Sequence, residues 1–92
     1  MPNIGEICGI VFFIFSEMGA PHHLPHVTVK YGEYKANYDI ESGRRLAGRS
    51  FPIAQERLIQ RVLRNHKKEL LECWNKLNQE HPEACGKILF RT

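Results

Sequence analysis

The sequence predicts an α+β domain of two layers, in which an antiparallel meander of three or four strands precedes one long or two consecutive helices packed on one face. Up to residue 50, apolar and polar side chains alternate between turn residues; after it, apolar side chains recur with the helical period. The composition, 42% hydrophobic and 25% charged over 92 residues, is that of one globular domain. We divide this single domain, residues 1–92, into a sheet part (1–50), a helical part (51–81) and a tail (82–92).

The first predicted strand is the apolar run at residues 9–15, which carries β-branched and aromatic side chains in both parities. Both of its faces should therefore be covered. Two alternating runs, residues 26–31 and 34–40, flank Gly32-Glu33 and predict a hairpin. A charged run at residues 44–49 suits the edge of a sheet.

The helical region is predicted to begin near Pro52 and to end before Pro82, as one helix or as two joined near Asn65-His66. Its buried stripe consists of Ile59, Leu63, His66, Leu70, Trp74 and Leu77. Such helices cover one face of the sheet, so the second apolar face of the first strand predicts a covering partner, most simply a second copy. The alternative is that the histidine-rich loop or the tail folds across that face.

The cysteines and the beginning of the chain bear on its location. Cys8, Cys73 and Cys85 are odd in number and widely spaced, which favours reduced thiols in a cytoplasmic protein over a disulfide scaffold. We expect Cys8 and Cys73 in the core and Cys85 at the surface. Residues 1–6 lack the basic residues of a secretory signal, and the apolar run is too short to cross a membrane.

Three histidines, His22, His23 and His26, lie just before and within the second predicted strand. A hairpin with a two-residue turn places Asp39 on the face of His26, so that the two could act as a catalytic base and its orienting group, with His22 nearby. Imidazole also binds zinc, but a metal site needs three or four ligands, so we expect no metal. The structural alternative is that the histidines hydrogen-bond to backbone in a proline-containing loop.

The second candidate site is a nucleic-acid-binding set of basic side chains in a chain of net charge +3. Four members share a helical face at i, i+4, i+7 and i+11, and two lie at the edge strand: Arg57, Arg61, Arg64 and Lys68, with Arg44 and Arg45. Such a stripe can neutralise phosphates. The alternative is a solvated face with weak ion pairs, such as Lys68 with Glu72.

Several segments together carry a family resemblance. They are M-P-x-I at the start, Gly9-Ile10-Val11, His22-x-x-Pro25-His26-x-x-Val29-x-Tyr31-Gly32-Glu33-Tyr34, Asp39-Ile40-Glu41-x-Gly43 and Leu70-Leu71-x-x-Trp74. With these the chain resembles a small bacterial family known as domain of unknown function 4160. Members typically read H-x-P-P-H-F-H in the histidine segment; here Leu24, Val27 and Thr28 replace the first proline, the aromatic residue and the last histidine.

The family has no settled activity, and its genes often lie beside those of a second small family, in pairs that look like toxin–antitoxin modules. The resemblance therefore implies a partner protein rather than a reaction. We expect a small cytoplasmic protein that acts as a partner-binding component of such a module, as a homodimer or with the product of the neighbouring gene, without a cofactor or a membrane. The alternative is a small RNA-binding or RNA-cleaving enzyme that uses His26 with the basic residues.

Overall fold

The structure, a computed structural model, describes residues 3–15, 24–80 and 85–91. Its elements are β1 (Asn3–Ile7), β2 (Ile10–Phe13), β3 (His26–Tyr31), β4 (Tyr34–Asp39), β5 (Arg45–Gly48), α1 (Ile53–Asn65), α2 (Lys67–Asn75) and a π-helical turn (Lys76–Glu80). The strands form one antiparallel sheet in the order β1-β2-β3-β4-β5. This confirms the α+β meander, with more strands than the three or four predicted.

The additional strand is β1, which the sequence pattern did not indicate. Its register with β2 shifts between Asn3 and Gly5, so the strand contains an irregularity that disrupts simple alternation. The connecting turn has positive φ at Cys8 (49°) and Gly9 (78°), as a two-residue hairpin turn of the primed kind requires. Cys8 is exposed in this turn, so its predicted place in the core is wrong.

The two parities of the apolar run around β2 have different surroundings. Ile10, Phe12 and Ile14 are fully buried in the core that the sheet forms with the helices. Val11, Phe13 and Phe15 point to the other side of the sheet and are half-buried. The predicted covering of the inner face is confirmed, while the outer face keeps partly exposed aromatic surface.

The helical part is two helices, and the predicted stripe is buried at each of its six positions. Pro52 precedes α1, where its missing N–H costs least. The break is at His66, whose backbone (φ −118°, ψ 20°) leaves the helical region while its N–H still bonds to the Val62 carbonyl. Trp74 is only 2% exposed, as predicted.

The tail packs beside β1 rather than across the outer face. The Ile88 N–H donates to the Ile4 carbonyl at 2.7 Å, and the ring of Phe90 is buried 4.8 Å from the ring of Phe12. Because Phe12 faces the core, the alternative in which the tail covers the outer face is wrong. The loop containing His22 and His23 lies outside the described residues.

Cys73 and Cys85 form a disulfide, with their Cα atoms 5.3 Å apart. The prediction of reduced thiols is therefore wrong for this pair. Cys73 is buried on α2, as predicted, but Cys85 is half-buried rather than exposed, because the tail returns to α2 after the π-helical turn. The two cysteines are widely spaced in the sequence, but the fold brings them together.

Candidate functional surfaces

The predicted hairpin register brings His26 and Asp39 opposite each other on β3 and β4. The His26 ring turns toward the helices and lies 5.0 Å from the ring of Trp74. Its Nδ1–H donates to the Leu24 carbonyl at 3.0 Å, which leaves Nε2 as the acceptor nitrogen of the neutral ring. His22, the third member of the predicted catalytic set, lies outside the described residues.

Asp39 stabilises the turn that follows β4. Its Oδ1 accepts the backbone N–H groups of Glu41 at 2.8 Å and Ser42 at 3.3 Å, which shapes the turn after β4. Between described residues, no hydrogen bond or ion pair joins the side chains of His26 and Asp39. The geometry thus places the pair side by side without the contact that an orienting carboxylate makes with its base, and their catalytic role stays a prediction.

His66 is a buried histidine with two defined partners. It is 8% exposed, and its Nδ1 lies 2.6 Å from Oε1 of Glu69, one turn further on. Its Nε2 accepts the Arg91 N–H at 2.9 Å. In the neutral ring, Nδ1 is therefore the protonated nitrogen. The sequence placed His66 in the core or at an interface, and the core position is confirmed.

The basic side chains of the helical stripe, Arg57, Arg61, Arg64 and Lys68, are all exposed. The first three lie on α1 and Lys68 follows on α2, beyond the break at His66. Within the described part of the chain, the carboxylate found within salt-bridge distance of a basic group is that of Glu69, beside His66. None of the four basic groups therefore has such a partner there, and the expected Lys68–Glu72 pair is not formed.

Shallow clefts run along this basic surface, with Arg64 at their junction. One, of about 250 Å³, separates the turn after β4 from α1 and is lined by Glu41, Ser42, Gly43, Gln60, Arg64 and Lys67, with Ile40 and Leu63 at its base. Gln60 Nε2 donates to the Gly43 carbonyl at 2.9 Å and holds the turn against the helix. Sequence periodicity could not indicate Lys67 as part of this cleft, because it lies off the stripe.

Arg44 and Arg45, the other predicted basic residues, are exposed; Arg45 begins the edge strand β5 and Arg44 directly precedes it. Neither lines the clefts around Arg64. The nearby Arg49 places its guanidinium 4.7 Å from the ring centre of Tyr34. The structure thus divides the predicted basic set between an edge strand and a helix face.

The outer face of the sheet carries an apolar strip of Val11, Phe13 and Phe15. The rings of Phe13 and Phe15 stack 6.1 Å apart at 11°. Directly across the sheet from Phe13 lie Thr28 and then Asn37, joined by a 2.8 Å hydrogen bond from the threonine hydroxyl to the amide oxygen. The described helices pack on the opposite side, and among the described residues the strip is half-buried.

The described residues offer neither a metal-binding cluster nor a membrane-spanning helix. No group of three or more histidine, cysteine, aspartate or glutamate side chains there is arranged to hold a metal ion. No helix among them is both long and apolar enough to cross a bilayer.

Comparison with known proteins identifies a family. The model of the family described as "Domain of unknown function (DUF4160)" matches residues 9–75, which include β2 to α2. No curated protein and no solved structure matches the chain.

Proposed function

The chain belongs to the DUF4160 family, and on that premise we propose that it is a partner-binding component of a two-gene, toxin–antitoxin-like module. The observation that carries the proposal is the outer strip of Val11, Phe13 and Phe15 on a sheet whose described helices lie on the opposite side. Aromatic side chains in a partly exposed cluster are typical of the centre of a protein interface.

The strip has a mixed border, which suits a specific contact. Lys30 and Lys35 pair with each other across β3 and β4, and Val11 pairs with Lys30 on one side and Glu6 on the other. Polar and charged groups around an apolar centre fix the orientation of a partner more than they add affinity. The Thr28 hydroxyl donates to the Asn37 amide oxygen next to Phe13, so this donor and this acceptor are paired with each other.

The test is co-expression with the product of the neighbouring gene. We expect the two chains to co-purify, and growth to arrest when one of them, but not both, is expressed. Light scattering of the pure chain tests the homodimer: a mass above 10.7 kDa that falls on dilution supports it. A monomer at every concentration, together with no co-purification and no growth effect, would contradict the proposal.

A second candidate function is RNA binding, with His26 as an acid or base if RNA is also cleaved. The observation that favours it is the exposed set Arg57, Arg61, Arg64 and Lys68, which lacks carboxylate partners among the described residues. From Arg57 to Arg64, α1 rises about 10 Å, and Lys68 follows on α2 beyond the break at His66. Unpaired basic groups along such a line are the pattern that salt-dependent phosphate binding uses.

The measurement is anisotropy of a labelled single-stranded RNA across salt concentrations. Each phosphate contact removed should reduce the slope of log K against log salt by about 0.7, so Arg61→Gln/Arg64→Gln should lower both affinity and slope. Lys87→Gln, an exposed basic position on the tail, is the control and should leave both unchanged. If Lys87→Gln lowers the affinity and the slope as much as Arg61→Gln/Arg64→Gln does, this helix surface is not the RNA-binding site.

A further inference from the structure

The tail, residues 85–91, fills a groove along β1. β1 is the first strand of the sheet order, so one of its edges lacks a strand partner, and the tail lies against it. The contact uses backbone, from the Ile88 N–H to the Ile4 carbonyl at 2.7 Å. An extended segment that adds to a sheet edge in this way is a common mode of recognition.

The groove has a socket for one aromatic side chain. The Phe90 ring is buried 4.8 Å from the Phe12 ring and 5.2 Å from the His66 ring, which it meets edge-on. Gly5 forms the opposite wall, because a Cβ there would lie 2.6 Å from Cε2 of Phe90 and 2.7 Å from the Ile88 carbonyl oxygen. The groove is thus shaped for this segment.

His66 anchors the far end of the segment. Its Nε2 accepts the Arg91 N–H at 2.9 Å, while Glu69 holds its Nδ1. Each of these contacts joins the tail to β1, β2 or the α1–α2 junction. None of them requires the tail to come from the same chain.

The described covalent contact that ties the tail to the body is the Cys73–Cys85 disulfide. A dithiol reductant would cleave it: one thiolate attacks a sulfur to form a mixed disulfide, and the second thiol displaces the other cysteine. The products are two protein thiols and an oxidised dithiol. The tail would then remain attached only through residues 76–84 and its noncovalent contacts.

We propose that the β1 groove is a docking site for residues 85–91 of a second copy of this chain, and that reduction of the Cys73–Cys85 disulfide permits the two copies to exchange tails. Residues 85–91 are the proposed occupant because the same segment already fits this groove within one chain. Exchange forms the same noncovalent tail contacts between two copies, so its free-energy cost is low. The covalent connection to α2 gives the chain's own tail a high effective concentration, so exchange is favoured by high protein concentration.

Covalent capture tests this inference, independently of any partner gene. Two variants are made on a Cys8→Ser background, one with Cys73→Ser and the other with Cys85→Ser, and one of them is isotope-labelled. Neither can close the disulfide within itself. The two variants are mixed and mildly oxidised. Because exchange places Cys85 of one copy beside Cys73 of the other, the fraction of disulfide-linked mixed dimer should exceed the fraction expected from random collision. Phe90→Ala in the Cys73→Ser chain should reduce that fraction to the random level.

A second measurement uses the unmodified chain, in case the serine variants fold poorly. Reduced protein is reoxidised at increasing concentration, and disulfide-linked peptides are mapped by mass spectrometry. We expect Cys73–Cys85 links between labelled and unlabelled copies to increase with concentration. Links confined within single chains at every concentration, or a mixed dimer that Phe90→Ala leaves unchanged, would overturn the inference.

Discussion

The hydroxyl of Tyr38, on β4, donates a 2.7 Å hydrogen bond to Oε1 of Glu56, in the first turn of α1. Gln60 Nε2 donates to the other oxygen of the same carboxylate at 3.2 Å. Tyr38 is fully buried, and burial, together with the Glu56 carboxylate, raises the pKa of its phenol far above the ordinary value. The pair fixes α1 to the inner face of the sheet.

The first prediction concerns alkaline pH. Because the folded chain favours the neutral phenol, the contribution of Tyr38 to stability is complete below the unfolded-state pKa of about 10. It is lost as pH rises from there toward the raised folded-state pKa. Urea unfolding between about pH 8 and about pH 11 should show a steeper loss for the wild type than for Tyr38→Phe. If the free energy of unfolding falls equally with pH in the wild type and in Tyr38→Phe, ionisation of Tyr38 does not control stability at alkaline pH.

The second prediction concerns the core. Trp74 is 2% exposed and contacts the His26 ring, so Trp74→Ala should lower the free energy of unfolding by about 3–5 kcal/mol. Ile53→Ala is the control, since Ile53 is 71% exposed and its truncation should change stability by about 0.5 kcal/mol or less. Denaturant unfolding measures both. A loss below about 1 kcal/mol for Trp74→Ala would contradict the packing described.

The third prediction concerns close backbone approach at the sheet edge. Gly48 has φ of 95°, and a Cβ there would lie 2.4 Å from the Lys35 carbonyl oxygen. Gly48→Ala should therefore destabilise the fold by about 1–3 kcal/mol. Gly86→Ala meets no atom within 4 Å and should be nearly neutral. Similar unfolding midpoints for the two variants would show that β5 does not approach β4 in this way.

The fourth prediction concerns the disulfide. Cys73 and Cys85 are separated by 12 residues, and closing a loop of this size stabilises the folded state by about 3 kcal/mol in the chain-entropy model. Adding a reductant should lower the unfolding midpoint of the wild type but leave Cys73→Ser/Cys85→Ser unchanged. If reductant shifts neither protein, the bond does not contribute to stability.

The spacing of apolar residues predicted the hairpin and the helices, whose structure depends on residues close together in the sequence. Strict alternation and a two-residue turn gave the β3–β4 hairpin and the His26–Asp39 register. Helical periodicity gave the buried stripe, but it left open whether the region is one helix or two joined near Asn65-His66, where the structure has the break. In each case the physical cause, burial of one face, acts on neighbouring residues and is visible in their spacing.

The features that sequence reasoning missed depend on distant segments. β1 exists because it pairs with β2 and receives the tail, and the disulfide forms because residue 85 returns to α2. Asp39 lies in the predicted register, but its carboxylate accepts backbone N–H groups of the turn after β4. The alternation of residues along a strand does not reveal such a hydrogen bond. Lys67 joins the cleft beside Arg64 only because the turn after β4 approaches α1.

The most direct test of partner binding is a charged substitution on each face of β2. Phe12 is fully buried and Phe13 lies in the outer strip, so Phe12→Glu should unfold the chain, whereas Phe13→Glu should leave it folded and abolish co-purification with the neighbouring gene product. Ile53→Glu, at an exposed apolar position on the helical side, is the matched control and should still co-purify. A folded Phe13→Glu chain that retains its partner as well as Ile53→Glu does would contradict the proposed interface.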